Sequence, residues 1–168
     1  MTRREPVEAG SIVGAAYPIH QLTTLRRVEF SDTDMVGIIH FSKFFIYMET
    51  AEHLFLNALG TSVAGTVEGI HLHWPRTAVG CEFLRPVRFE DEVEIRLFVL
   101  RKGGRSITYG CEFRHQGEPI ARGQSTSVCC EMDGGKLRSI DIPRTLADRL
   151  EEITAEEKTR WRSPIRQL

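Results

Sequence analysis

The sequence predicts an α+β chain in which a curved antiparallel sheet wraps one long central helix. Three observations carry that prediction. Between Phe44 and Leu59 apolar residues fall at 44, 45, 48, 51, 55, 58 and 59, the helical spacing, and Ile46, Leu54 and Leu56 add apolar surface on other sides. After Pro75 the pattern switches to period two. The connections "RKGG", "QGE" and "DGG" between those runs are short and glycine-bearing, the chemistry of tight turns between antiparallel neighbours. A helix with so wide an apolar coat needs cover on most sides, and a sheet curled around it is one way to supply that cover.

Taken in order, residues 1–21 read as a tail or an edge arm. "TTLRRVEF" alternates Val28 and Phe30 against Arg27 and Glu29, a strand with one wet face. A turn follows from Asp32 to Gly37. The helix comes next, with Ser42 placed to cap its start and Gly60 to close its end in the left-handed conformation. A loop is expected over 60–75. "AVGCEFLRPVRF" alternates at Val79, Cys81 and Phe83, and Pro86 marks a bend or an edge position. "DEVEIRLFVL" alternates at Val93, Ile95, Leu97 and Val99, and "RSITYGCEFRH" at Ile107, Tyr109, Cys111 and Phe113. "EPIARGQSTSVCCEMD" continues as a fourth run. "IPRTLADRLEEI" reads as a surface helix with proline at its first position. "TRWRSPIRQL" is expected to be loose. The organisation is then a tail at 1–21, one domain at 22–157 and a C-terminal tail at 158–168.

At 168 residues the chain is long enough for one domain with a real core. A net charge of −1, with the basic residues dispersed, gives no electrostatic case for nucleic acid or a membrane surface. The N-terminus has charges and a weak apolar patch from Ile12 to Tyr17, without the apolar core of a signal peptide. No stretch reaches the ~20 apolar residues that span a bilayer. A soluble cytoplasmic protein is the expectation. Cys81, Cys111, Cys129 and Cys130 fall in strand-like runs without a CxxC pair, which reads as buried free thiols. In a regular strand Cys129 and Cys130 would point to opposite faces.

The chemistry concentrates in "EFSDTDMVGIIHFSKFFIYMETAEH", residues 29–53. Asp32 and Asp34 stand one residue apart, between a strand and the central helix. Aspartates there serve as turn residues, bonding nearby backbone N–H groups. A calcium loop would need further oxygen ligands at set spacing, and "DTDMVGIIHFSK" supplies apolar residues instead. His71 and His73 in "HLHW" share a face of an extended chain, but two histidines alone make a poor metal site. A carboxylate before a helix also sits near the helix's open N–H groups and partial positive charge. Those N–H groups can hold an oxyanion while the carboxylate attacks a carbonyl or activates water. A thioester, with its good leaving group, suits such a pair.

"VEFSDTDMVGIIHFSKFFIYME" resembles the signature of hotdog-fold acyl-CoA thioesterases of the 4-hydroxybenzoyl-CoA thioesterase type. Asp32, Asp34 and Gly37 match the family's Asp-x-Asp-x-x-Gly turn, and Glu49 falls where members often carry an acidic residue. "LRPVRFEDEVEI", with Pro86 and Asp91, and "IPRTLADRL" fit the family's order of elements more loosely, so the resemblance spans residues 24 to about 153. It implies that Asp34 is the catalytic carboxylate, nucleophile or base. The Phe41 backbone N–H would polarise the thioester carbonyl, Gly37 would allow close approach, and Asp32 would hold the turn. It implies no cofactor, since CoA is part of the substrate. It also implies a homodimer paired edge to edge, often a homotetramer, with the acyl pocket at the interface. Arg85, Arg88 or Arg122 would meet the CoA phosphates, and His40 and Glu49 are further candidates for touching substrate. A subgroup carries a histidine at the position of Phe41; here the histidine is His40, one step and ~100° earlier on the helix. Met35 and Val36 are bulkier than the family's usual turn residues. Glu49 is a reserve catalytic carboxylate. His73 and Trp74 are placed near the pocket mouth by their loop position. The rival readings are a non-catalytic protein that binds acyl-CoA or an acyl carrier protein, and a hotdog dehydratase, whose Asp and His pair is not evident here.

Overall fold

The computed structural model describes residues 7–8, 18–161 and 163–164. Most of the expected N-terminal arm, including Ile12 to Tyr17, lies outside the described residues. So do residue 162 and residues 165–168 at the other end. A short β1, Val7–Glu8, runs parallel to β2, Gln21–Arg27. The central helix α1 spans Phe41–Ala58. Two short strands follow, β3 at Thr66–Val67 and β4 at Ile70–His73. The long strands are β5, Arg76–Phe83; β6, Glu92–Lys102; β7, Ser106–His115; and β8, Glu118–Val128. Then come β9, Cys130–Asp133; β10, Lys136–Ser139; and the short helices α2, Arg144–Ala147, and α3, Ala155–Arg160.

The large sheet has the order β1-β2-β6-β7-β8-β5, antiparallel throughout except at β1. Period-two patterning sets its faces: Val93, Ile95, Leu97, Ile107, Tyr109, Cys111 and Phe113 are buried. They meet Phe44, Tyr47, Met48, Ala51 and Phe55 of α1 in one core. Beneath the helix β8 carries small residues: Ala121, Gly123, Ser125 and Ser127 are all buried. A Cβ added at Gly123 would lie 2.1 Å from Met48 Sδ, so the helix approaches more closely than any larger residue permits. The expected architecture, a curved antiparallel sheet around a central helix, is present.

Several local expectations are corrected. The helix starts at Phe41, and its N-cap is His40, whose Nδ1 accepts the Ser42 N–H, rather than Ser42, which lies inside the first turn. The imidazole nitrogen serves as cap acceptor where a hydroxyl was expected. Gly60 has φ of +85°, as expected for the helix end. The loop at 60–75 holds β3 and β4, and β4 joins β9 and β10 in a second sheet. The fourth strand run breaks at Cys129, whose N–H bonds Arg105 O, so the regular alternation assumed for Cys129 and Cys130 does not apply and both are buried. Pro143 is the N-cap of a helix of only four residues, not its first position. The segment expected to be loose begins with the last two residues of α3, a helix opened by the Thr154–Glu157 capping box, and holds Trp161, whose ring packs edge-on 5.0 Å from Phe98.

Candidate functional site

After β2 the chain makes a 3-10 turn, Phe30–Asp32, then a small hairpin closed by the Thr33–Ile39 bridge. The Asp34 N–H donates to Ile38 O at 2.9 Å, and the Gly37 N–H donates to Asp34 O at 3.0 Å. Gly37 has φ of +77°, the left-handed conformation that this turn needs and that glycine adopts without steric cost. The hairpin is anchored from outside by the Ile39 N–H on Val87 O, 2.9 Å, and by Ile38 pairing with Arg88.

The two aspartates differ in every physical respect. Asp32 is buried, and its carboxylate accepts the Tyr47 hydroxyl at 2.6 Å and the Glu29 N–H at 3.0 Å, with Lys43 Nζ at 3.1 Å. Burial opposes its charge, but the hydrogen bonds from Tyr47 and Glu29 and the Lys43 ammonium outweigh it, holding the carboxyl below the usual range. Tyr47 is pushed up in turn by burial and by that carboxylate, and the Arg26 guanidinium lies 4.5 Å over its ring. Asp32 ties the turn to the helix. Asp34 is half-buried; one oxygen accepts the Val36 N–H at 2.8 Å, and the other has no partner among the described residues.

The helix start shows the same economy. The His40 N–H donates to Asp32 O, the Ser42 N–H to His40 Nδ1 and the Lys43 N–H to His40 O. Among the described residues, the Phe41 N–H, the amide that the motif singles out, has no acceptor. His40 is half-buried, its Nδ1 lies 2.7 Å from Ser42 Oγ, and its ring sits 4.5 Å from that of Phe41. Asp34, Gly37, His40 and Phe41 are therefore brought together at one end of α1.

The cationic candidates part company. An Arg88 guanidinium nitrogen lies 3.7 Å from where a Cβ on Gly37 would be, and no hydrogen bond or ion pair holds that side chain among the described residues. Arg85 is held by Glu118 at 2.7 Å and by Pro119 O at 3.0 Å, and Arg122 lies 4.0 Å from Glu82. Glu49 stands two helical turns beyond Phe41, half-exposed, 3.6 Å from Arg76. Sequence reasoning passed over its neighbour Glu52, which is buried and accepts Arg76 at 2.8 Å and the Ser125 hydroxyl. The signal was available: Glu52 follows Met48 by four and precedes Phe55 by three on the apolar stripe, where a carboxylate requires partners.

Residues 36–121 match the thioesterase superfamily. This chain belongs to that superfamily. A curated relative from Aquifex aeolicus (strain VF5), provisionally named an esterase, is 27% identical over 128 residues, spanning 76% of this chain and 95% of its own. A gentisyl-coenzyme A thioesterase structure is 29% identical with a TM-score of 0.66, over 74% of this chain and 98% of that one. A 4-hydroxybenzoyl CoA thioesterase with an Asp-to-Asn substitution, complexed with 4-hydroxybenzoyl CoA, is 18% identical with a TM-score of 0.70, over 79% and 100%; it bears on the fold. The sheet curled around α1 in this thioesterase-superfamily chain is the hotdog fold.

Proposed function

We propose that the protein hydrolyses an acyl-CoA thioester to a free carboxylic acid and CoA, as an enzyme of the 4-hydroxybenzoyl-CoA thioesterase type. The observation that carries this reading is the pairing, at one end of a buried helix, of an open amide at Phe41 with an open carboxylate oxygen at Asp34. The thioester oxygen accepts the Phe41 N–H, and the helix's partial positive end favours the charge that develops there. Asp34 then attacks the carbonyl carbon, the C–S bond breaks and CoA leaves as the thiolate, which takes a proton from water. Water hydrolyses the resulting anhydride and restores Asp34. In the alternative route Asp34 takes the proton of an attacking water and passes it to the thiolate. Gly37 keeps the turn open to the substrate, and Arg88 receives CoA phosphate.

The neighbour named a gentisyl-coenzyme A thioesterase makes aromatic acyl groups the first class to test. The outer edge of β5 has no neighbouring strand among the described residues and exposes Val79 and Phe83. We assign it to edge-to-edge pairing with a second copy, since an unpaired edge is a template for another strand. No helix among the described residues is long and apolar enough to cross a membrane. The test is an acyl-CoA panel, aromatic and aliphatic, with wild type and Asp34→Ala, followed by loss of thioester absorbance rather than with a thiol dye, because Cys81 is only partly buried and offers the dye a competing target. Full hydrolysis by Asp34→Ala would overturn the mechanism.

A further inference from the structure

The cap of α1 is a side chain that can change charge. His40 has extended backbone dihedrals, φ −67° and ψ 135°, and opens a helix of 18 residues. Ser, Thr and Asn, the usual caps, accept through an oxygen that takes up no proton near neutrality. His40 answers three backbone groups. Its own N–H donates to Asp32 O at 2.8 Å, its carbonyl accepts the Lys43 N–H at 2.9 Å, and its Nδ1 accepts the Ser42 N–H at 3.4 Å. The second and third helical amides are thereby met, while the Phe41 N–H, the first, has no acceptor among the described residues.

Ser42 fixes the tautomer. Its N–H can only donate, so the ring nitrogen that faces it carries the lone pair. The Ser42 hydroxyl, 2.7 Å from the same nitrogen, then donates as well, and the ring proton is left on Nε2. The imidazole packs on the Phe41 ring, centroids 4.5 Å apart, so the cap is in contact with the residue that presents the open amide. The charged and titratable groups around this corner are Asp32 and Asp34 on the turn, Lys43 and Tyr47 on α1, and Arg88 beside Gly37. None of the five hydrogen-bonds the imidazole among the described residues; its polar partner is Ser42.

Proton uptake reverses this arrangement. A protonated Nδ1 donates and no longer accepts the Ser42 N–H. The ring also becomes a cation at the positive end of the helix, where that sign of charge is unfavourable. The first turn loses its anchor, and an oxyanion donor that moves costs rate steeply.

We propose that His40 is a positioning residue: its neutral imidazole holds the first turn of α1 with the Phe41 N–H open, and its protonation releases that turn and slows hydrolysis. The effect on rate rests on the hydrolysis reading above. The coupling of His40 to the first-turn amides does not.

The test follows the full chain by NMR and by rate from pH 5 to 8, the interval over which histidines change charge. At pH 8 the His40 ring, assigned by its absence in His40→Asn, should show nitrogen signals of a bare Nδ1 and a protonated Nε2. As pH falls, the Ser42 amide proton should move to higher field as its acceptor is lost, with Phe41 shifting in step. Neither should move in His40→Asn, whose side-chain oxygen caps without titrating. With a saturating acyl-CoA, wild-type kcat should fall about tenfold toward pH 5 with KM little changed. His40→Asn should keep most of the pH 8 rate and lose that fall. His40→Ala, with no acceptor, should lose about tenfold at pH 8. A cap that served stability alone would leave the shape of the profile unmoved.

A protonated Nδ1 at pH 8, amide shifts that persist in His40→Asn, an acid fall that survives in it, or a rate that rises in acid would overturn the proposal. So would His40→Asn as slow as His40→Ala, which would put the imidazole itself on the substrate. Wild type that never turns over acyl-CoA, with the amide coupling present, refutes the hydrolysis reading and leaves the coupling standing.

Discussion

The start of α1 and its later turns treat carboxylates in opposite ways. Asp34 sits at a hydrogen-bonded hairpin tip with an oxygen unshared among the described residues, on the turn that leads to the open Phe41 amide. Glu52 is closed in by Arg76 and Ser125 inside the core. Asp32 belongs with Glu52 rather than with Asp34, although only one residue separates it from the latter. The lesson is that a carboxylate held on all sides is structural scaffold, whatever its neighbours in sequence. Chemistry needs one oxygen left over.

The largest way to sharpen this contrast is Asp34→Asn, which should lower acyl-CoA turnover by about a thousandfold. Its unfolding midpoint in urea should stay near that of wild type, because Asn preserves the acceptor for the Val36 N–H. Asp32→Asn should do the reverse. Its amide turns one NH₂ toward donors, strands part of the Tyr47, Glu29 and Lys43 set, and costs about 2 kcal/mol in urea unfolding.

Acid extends the test. The folded Asp32 carboxyl lies below its ordinary value of 3.8, so its contribution is full above that value. It is lost as pH falls through the lowered folded value. The stability difference between wild type and Asp32→Asn should therefore shrink below pH 3.8, measured by denaturation across that range.

Gly123→Ala tests the close approach that fixes α1 on the sheet. The new Cβ would collide with Met48 Sδ at 2.1 Å, costing about 1–3 kcal/mol. Combining it with Met48→Ala should cost less than the sum of the single changes, measured by a double-mutant cycle. The smallest effect is expected for Arg88→Ala. It should raise KM for a CoA thioester a few-fold, leave kcat in place and reduce the dependence of KM on salt.

Much of this was legible in the sequence. Period 3.6 located α1 and period two located β5 to β8, because burial of one face imposes those spacings directly. The hairpin turns followed from their glycines. The Asp32–Gly37 turn was legible because a left-handed glycine and paired aspartates leave a mark at fixed spacing. What was not legible depended on contacts distant in the chain. The pairing of β5 with β8, rather than with its successor β6, is set by the sheet closing around the helix. Arg76 meeting Glu52 joins residues 24 apart, and Tyr47 meeting Asp32 joins residues 15 apart. The His40 cap escaped because a histidine there replaces the usual hydroxyl. Trp161 escaped because a polar, charged tail gives no periodic sign that its one aromatic ring will cover Phe98.

The most direct test of the central claim measures binding and hydrolysis on one aromatic acyl-CoA, with wild type and Asp34→Asn side by side. Calorimetry reports binding, and thioester absorbance reports turnover. The account predicts that Asp34→Asn binds the thioester about as tightly as wild type and hydrolyses it about a thousandfold more slowly. Equal hydrolysis by the two proteins would contradict it, as would wild type that binds the thioester and never turns it over.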